Sequence, residues 1–137
     1  MVLVNNENET ASVAAQLAET IEKGGLLCLY GDLGSGKTTF TRHLAESLGI
    51  EKFTVKSPTY TYIRHLKTAQ NTDFYHIDLY RINTIDELLF EEILELTENP
   101  ENIIVIEWAD KMQSHLPENR REVYFKFISG QKREIKF

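Results

Sequence analysis

The sequence predicts an α/β fold in which a mainly parallel central sheet is flanked by helices and extended by antiparallel hairpins. Three observations support this prediction. A glycine-rich loop, GDLGSGKTT, stands between a short apolar run and a helical pattern. A second apolar run, IIVI, ends directly at a glutamate. Strand-like and helix-like patterns alternate along the chain, as they do in parallel sheets covered by helices.

The first part of the chain predicts helix, strand, loop and helix. A helix capped by Thr10 is expected to run to about Lys23, where two glycines end it. Residues 26–30, LLCLY, are typical of a short buried strand. After the loop, apolar residues four positions apart predict a helix from about Lys37 to Leu48.

The middle of the chain predicts a hairpin. Residues 53–66 are rich in β-branched and aromatic residues and are interrupted by Pro58, which indicates a strand, a kinked loop and a strand. Residues 73–82 alternate in polarity as a half-buried strand does. The polar segment TAQNTD joins these two regions, so they are expected to pair.

The last part predicts a helix, a central strand and a closing hairpin. Thr84 and Glu87 fit a capping box, and the apolar spacing behind them predicts a helix to about Leu96. Residues 103–106 form the most hydrophobic run and should therefore be a central strand. Two strand-like runs on either side of residues 129–130 predict the final hairpin.

The composition indicates a globular protein with 42% hydrophobic and 26% charged residues. Its 137 residues predict one domain, residues 1–137. No apolar run approaches the roughly 20 residues of a membrane span, and the first residues do not resemble a secretory signal. The lone cysteine, Cys28, lies in an apolar run and is interpreted as a buried core residue. These features favour a cytoplasmic protein that does not contact the membrane.

The charge distribution argues against a general nucleic-acid binder, because the formal net charge is -6. Residues 82–110 contain nine acidic residues and no lysine or arginine. We interpret this run as the solvated face of a helix, with a protein-docking surface as the alternative.

The glycine-rich loop fits the phosphate-binding pattern G-x-x-x-x-G-K-[ST] in full. Its glycines let backbone N–H groups turn toward one anion, and the following helix adds the positive end of its dipole. Lys37 is expected to bridge the terminal phosphates, and the Thr38 hydroxyl can ligate Mg²⁺. This context predicts a P-loop NTPase-like fold. The predicted nucleotide contacts are Asp32, Leu33, Gly34, Ser35, Gly36, Lys37, Thr38 and Thr39.

Two acidic residues are candidates for the chemistry of this site. Glu107 follows the buried run IIVI, at the place where P-loop proteins carry an acid that faces the metal, although aspartate is more usual. Asp78 lies between two apolar residues and therefore needs a partner or a function. The pattern alone leaves open whether it pairs with Arg81 or orients a water or a metal.

The segment KSPTY is a third candidate. Pro58 stiffens it, and the hydroxyls of Ser57 and Thr59 could sense a terminal phosphate, as switch segments do. By itself, the pattern is more typical of a β-turn that contains a proline.

Five segments together resemble one family in their order and spacing. They are YGDLGSGKTTFTR, VKSPTYTY, YHIDLYRI, DEL and IEW. On these segments the chain resembles the bacterial TsaE (YjeE) family of P-loop ATPases, which act in the biosynthesis of threonylcarbamoyladenosine (t⁶A) in tRNA. The resemblance extends from Thr10 to Arg133.

The resemblance implies a function and partners. It implies ATP and Mg²⁺ as cofactors, with hydrolysis that is weak alone and stimulated by partners. It implies the TsaB–TsaD complex as the partner, which modifies adenosine 37 of tRNA and whose catalytic cycle the ATPase drives. Contact with tRNA is then expected only through that complex.

The resemblance also implies roles for individual residues. Lys37, Asp78 and Glu107 match residues required for catalysis. Thr38 and Glu107 match the Mg²⁺ ligands. One segment and two single residues near the nucleotide have further matches. They are the switch-like loop of Ser57, Pro58 and Thr59, the site tryptophan Trp108, and the C-terminal arginine Arg133.

Other classes of P-loop protein fit less well. A small-molecule kinase would carry an arginine-rich lid, for which the chain has little length, and a GTPase would carry N-K-x-D, which is absent from the sequence. A scaffold that binds nucleotide without hydrolysing it stays open, because the same loop would serve it.

Overall fold

The computed structural model describes residues 1–50 and 62–137. The strands are β1 (Val2–Val4), β2 (Gly25–Tyr30), β3 (Ile63–Lys67), β4 (Asp73–Asp78), β5 (Ile103–Glu107), β6 (Arg121–Ser129) and β7 (Lys132–Lys136). The helices are α1 (Glu7–Ile21), α2 (Lys37–Ser47), α3 (Glu87–Glu98) and a 3₁₀ helix (Ala109–His115). Within these ranges, none of the helices has the length and apolar character to cross a membrane.

The strands form one sheet in the order β1-β7-β6-β2-β5-β4-β3. The four strands β6, β2, β5 and β4 are parallel neighbours, whereas β7, β1 and β3 add antiparallel strands at the two edges. The predicted fold class and both predicted hairpins are therefore confirmed. Part of the predicted region 53–66, including Ser57, Pro58 and Thr59, lies outside the described residues.

Helices cover both faces of the central strands. α1 and α2 pack on one face against a core that includes Leu27 and Phe40, and α3 and the 3₁₀ helix cover the other face around Ile93 and Ile106. All residues of β5 are buried, which confirms its central position. Cys28 is also fully buried, and burial raises the pKa of its thiol to about 12. It is a core residue, as the sequence predicted.

The N-terminal segment differs from the prediction. The strand β1 was not predicted, and α1 begins at Glu7 rather than after Thr10. The N-cap is Asn6, whose side-chain oxygen accepts from the backbone N–H of Glu9 at 3.0 Å. In return, Glu9 accepts from the backbone N–H of Asn5 at 2.7 Å. This reciprocal arrangement satisfies N–H groups at the start of the helix, so α1 gains a turn before Thr10.

The predicted capping box at Thr84 is also wrong. Asp86 is the N-cap of α3, and its side chain accepts from the N–H of Leu89 at 2.7 Å. Aspartate is as good an N-cap as threonine. With the helix beginning after Asp86, its apolar face packs against the sheet. Leu88 falls outside that face and is 77% exposed. The exposed glutamates of α3 agree with the predicted solvated face. They are Glu87, Glu91, Glu92, Glu95 and Glu98.

Candidate nucleotide-binding site

The carboxyl ends of three parallel strands meet at one edge of the sheet, and predicted site residues lie at the end of each strand. β2 leads into the glycine-rich loop, β5 ends at Glu107, and β4 ends at Asp78. Glu107 is the register partner of both Leu29 and Asp78. A cleft of about 200 Å³ opens at this edge, which is the usual ligand position in parallel sheets. Its lining includes Leu33, Gly34, Gly36, Lys37, Thr38, Thr39, Asp78, Glu107, Trp108 and Arg133.

The glycine-rich loop has a backbone that only glycine accommodates at two positions. Gly31 has φ of +149°, and a Cβ there would lie 2.6 Å from both the Phe125 carbonyl oxygen and Ser35 Oγ. Gly36 has φ of +108° and is the N-cap of α2. The Ser35 side chain is buried beneath the loop, whereas Asp32 and Leu33 are exposed. The loop thus brings the N-terminus of α2 to the cleft, where backbone N–H groups can bind an anion.

Lys37 is held inside the site with only 4% of its surface exposed. Its ammonium group donates to the carbonyl oxygens of Gly31 and Asp32, the second at 2.9 Å, and lies 4.2 Å from the centroid of the Trp108 ring. Burial lowers the pKa of Lys37, while the negative charge of Glu107 and other nearby carboxylates opposes this shift. The partners of the ammonium are thus mostly neutral carbonyls, which phosphate oxygens can replace with a stronger interaction.

Thr38, Glu107 and His76 form a chain of hydrogen bonds behind the loop. The Thr38 hydroxyl donates to Glu107 Oε1 at 2.9 Å, and His76 Nε2 donates to Glu107 Oε2 at 2.5 Å. Glu107 is 1% exposed and His76 is fully buried. Both carboxylate oxygens are therefore engaged, one of them by the predicted metal-ligating hydroxyl.

The donor set fits a Mg²⁺ ion that is also held by phosphate. Among the described residues, no group of three or more His, Cys, Asp or Glu side chains could bind a metal by itself. Mg²⁺ bound to nucleotides commonly has only one or two protein ligands, and its other ligands are waters and phosphate oxygens. The adjacent oxygens of Thr38 and Glu107 are hard donors of the kind that Mg²⁺ prefers.

Asp78 lies beside Glu107 and lines the same cleft. It is 8% exposed, and its Oδ1 accepts from the backbone N–H of Tyr80 at 3.0 Å. This bond fixes the turn that follows β4. The sequence left open whether Asp78 pairs with Arg81 or orients a water or a metal. The bond from Tyr80 gives the carboxylate a structural role that was not predicted, and its position at the cleft is compatible with the functional role.

Trp108 forms one wall of the cleft together with Tyr80. Its backbone has φ of +59°, which few non-glycine residues adopt, and its ring centroid lies 5.2 Å from that of Tyr80. Lys111 ties this wall together, because its ammonium donates to the carbonyl oxygens of Tyr80 at 2.7 Å and Ile82 at 2.6 Å. The turn after β4 and the 3₁₀ helix after β5 are thereby joined beside Lys37.

Arg133 lies between this cleft and a second one. The second cleft, of about 290 Å³, shares Gly36, Thr39 and Arg133 with the first. Arg133 donates to the carbonyl oxygen of Gly130 at 2.8 Å, and its guanidinium carbon lies 4.7 Å from the centroid of the Phe127 ring. The other lining residues of the second cleft are Glu7, Thr10, Ser35, Phe125, Gln131 and Ile135.

Some residues of the site were missed at the level of sequence. His76 lies two residues before Asp78 in β4, but only the register of β4 against β5 shows its bond to Glu107. Lys111 carried no signal, because its acceptors are backbone carbonyls of a turn. Ser57, Pro58 and Thr59 lie outside the described residues, so their predicted role stays a prediction.

Comparison with known protein families identifies the chain. The model of the family described as "Threonylcarbamoyl adenosine biosynthesis protein TsaE" matches residues 4–135. The chain belongs to the TsaE family. The TsaE protein of Bacillus subtilis (strain 168) is 38% identical over 134 residues, which cover 96% of this chain and 80% of that protein. The TsaE protein of Aquifex aeolicus (strain VF5) is 31% identical over 131 residues, covering 89% of this chain and 92% of that protein.

A solved structure agrees with this assignment to the TsaE family. The crystal structure of Bacillus subtilis YdiB superimposes with a TM-score of 0.74 at 30% sequence identity. The match covers 98% of this chain and 80% of that chain. The resemblance that the sequence motifs indicated is confirmed.

Proposed function

We propose that this protein is an ATP-binding and ATP-hydrolysing subunit of the t⁶A machinery. Its membership in the TsaE family places it in t⁶A biosynthesis. We further propose that it acts in the cytoplasm with the TsaB–TsaD complex, drives the catalytic cycle of that complex, and meets tRNA only through it. The observation that carries the ATPase proposal is the 2.9 Å hydrogen bond between Thr38 and Glu107 at the base of a complete phosphate loop.

The two adjoining clefts support binding of a nucleotide. The cleft beside Lys37 is lined by the phosphate loop and would take the phosphates, whereas the second cleft adds the apolar surface of Phe125 and Ile135. A nucleoside attached to the phosphates could enter this second cleft along Gly36 and Thr39, which border both. Arg133 borders both clefts as well and could contact the nucleotide, as the resemblance implied.

The proposed chemistry is in-line attack of water on the γ-phosphorus of ATP. Lys37 and the N–H groups of the loop stabilise the negative charge on the β- and γ-phosphate oxygens. Thr38 and Glu107 would hold a Mg²⁺ ion, which would supply additional positive charge there. Asp78 orients the attacking water from the end of β4. The protein thus contributes positioning and charge compensation rather than a covalent intermediate.

A weak activity in isolation is expected, because neither Arg42 nor Arg81 lines the cleft, and Arg133, which does, donates to backbone carbonyls of the β6–β7 hairpin. Arg42 pairs with Glu7, and Arg81 is exposed. A stabilising cation from a partner protein would then raise the rate, as arginine fingers supplied in trans do in other P-loop proteins.

The experiment that tests this proposal measures phosphate release from ATP and from GTP with Mg²⁺, with and without purified TsaB–TsaD. We expect slow release from ATP alone and strong stimulation by the complex, with GTP used poorly. Nucleotide binding without stimulated release would instead favour a scaffold that does not hydrolyse. Transfer of phosphate to a small acceptor would identify a kinase and refute the proposal.

A further inference from the structure

Glu107 carries one methylene group more than the aspartate that is usual at this position of P-loop proteins. The additional torsion lets the carboxylate take several orientations, whereas a metal ligand must point at a defined place. Glu107 is 1% exposed, so surrounding water cannot be what holds its orientation. Some protein group must therefore fix it.

His76 is the group that meets this requirement. It lies on β4, the strand next to β5, and its Nε2 is 2.5 Å from Glu107 Oε2. An ionised carboxylate can only accept, so Nε2 carries the proton of this bond. With Oε2 held from behind, Oε1 is turned toward the Thr38 hydroxyl at 2.9 Å.

His76 itself does not reach the ligand site. Its side chain is fully buried, and it is absent from the lining of the cleft that contains Thr38 and Glu107. Any effect of His76 on a bound ion must therefore pass through the Glu107 carboxylate.

We propose that His76 is a positioning residue that holds Glu107 toward Thr38 and thereby sets the affinity of the nucleotide site for a divalent cation. This inference rests on the proposed function, because it assigns Thr38 and Glu107 to a cation bound together with nucleotide. Hydrogen bonds of this kind behind a metal ligand typically change metal affinity by about 10- to 100-fold when they are removed.

The test is equilibrium dialysis of ADP against the purified protein, in EDTA and across a titration of MgCl₂. We expect His76→Leu to raise the Mg²⁺ concentration at half-effect by about 10-fold or more. Binding of ADP in EDTA should stay within about twofold, since that binding does not use the carboxylate. His76→Gln should restore much of the Mg²⁺ effect, because its amide N–H can reach the position of Nε2.

Two further variants keep the test decisive. His76→Asn is polar but too short to reach Glu107, so it should weaken the response to Mg²⁺ as His76→Leu does. It replaces the leucine variant in the test if the leucine variant does not fold. His65→Leu is the matched control, because His65 lies on neighbouring β3 and stacks on Tyr75 with ring centroids 4.5 Å apart, away from the cleft.

The outcomes separate the inference from the proposed function. If the unaltered protein does not bind ADP, the proposed function is wrong. If it binds ADP with a clear Mg²⁺ effect that folded His76→Leu and His76→Asn proteins share unchanged, His76 is not a positioning residue. The inference is also overturned if ADP binding by the unaltered protein does not respond to Mg²⁺.

Discussion

The ends of β4 and β5 offer two acidic residues in equivalent positions with different surroundings. Asp78 and Glu107 are register partners and both end their strands. Glu107 has both oxygens bound by other elements, by Thr38 from α2 and by His76 from β4. Asp78 accepts from the N–H of Tyr80, two residues along its own chain.

This difference indicates separate roles for Glu107 and Asp78. Glu107 is tied to the phosphate loop, so its position depends on the packing of three elements. The bond from Tyr80 ties Asp78 to its own turn, and this turn carries Tyr80, whose ring packs against that of Trp108. We therefore expect changes at Glu107 to act on cation binding and changes at Asp78 to act on hydrolysis.

The largest expected effect is that of Glu107→Gln. This substitution keeps the shape of the side chain but removes the negative charge that would attract a cation. We expect stimulated ATP hydrolysis to fall by about 100- to 1000-fold, in the range of lost electrostatic stabilisation at other active sites. Phosphate release with TsaB–TsaD measures the rate, and ADP binding across MgCl₂ concentrations should lose its dependence on Mg²⁺. A normal Mg²⁺ response would contradict the assignment.

A second large effect is expected at Asp78, where two substitutions separate its two possible roles. Asp78→Ala should keep nucleotide binding and lower stimulated hydrolysis by about 100-fold or more, as loss of a positioned acid or base does. Asp78→Asn keeps an oxygen that can accept from Tyr80 N–H but lacks the charge.

Comparing hydrolysis and stability in these two variants shows which of the two roles Asp78 has. If Asp78 orients the water, both variants should lose hydrolysis, and only Asp78→Ala should also lose about 1 kcal/mol of stability in urea unfolding. Unchanged turnover in the asparagine variant would show that the charge of Asp78 does not orient the water.

A moderate effect on stability is expected for Lys111→Met. The substitution removes both hydrogen bonds from Lys111 to the turn after β4. We expect a loss of about 1–3 kcal/mol in the free energy of unfolding, because the bonds involve a charged donor. Fluorescence should change as well, since Trp108 is the single tryptophan of the chain. Lys126→Met, at an exposed position of β6, is the matched control and should change stability by less than about 0.5 kcal/mol.

The smallest expected effect concerns Glu7, an exposed carboxylate of α1 that lines the second cleft. Hydrogen bonding to His43 and the charge of Arg42 hold the pKa of Glu7 below its usual value. A lowered pKa in the folded state adds stability above the unfolded pKa, and this stability is lost as pH falls through the folded pKa.

Glu7→Gln should therefore be slightly less stable than the unaltered protein near pH ~6, and the difference should vanish near pH ~2. Urea unfolding of both proteins across this range measures the difference. A difference that grows in acid would mean that the pair does not favour the ionised carboxylate.

Much of the fold and of the site followed from local patterns. The phosphate loop was recognisable because its chemistry needs glycines, a lysine and a hydroxyl at fixed spacing, and each of these lies at the cleft. The buried strand β5 and both hairpins were predicted because hydrophobicity and turn residues act over a few positions. Segments spread over the chain further identified the family.

Other features required the tertiary structure. The strand β1 has only three residues and exists because β7 lies beside it. The bond between His76 and Glu107 joins residues 31 positions apart, and it depends on the register of two strands. Sequence patterns report the preferences of neighbouring residues, whereas partners across strands are chosen by packing. The sequence by itself determined the kind of site, and the register of the sheet decided which side chains hold its parts in place.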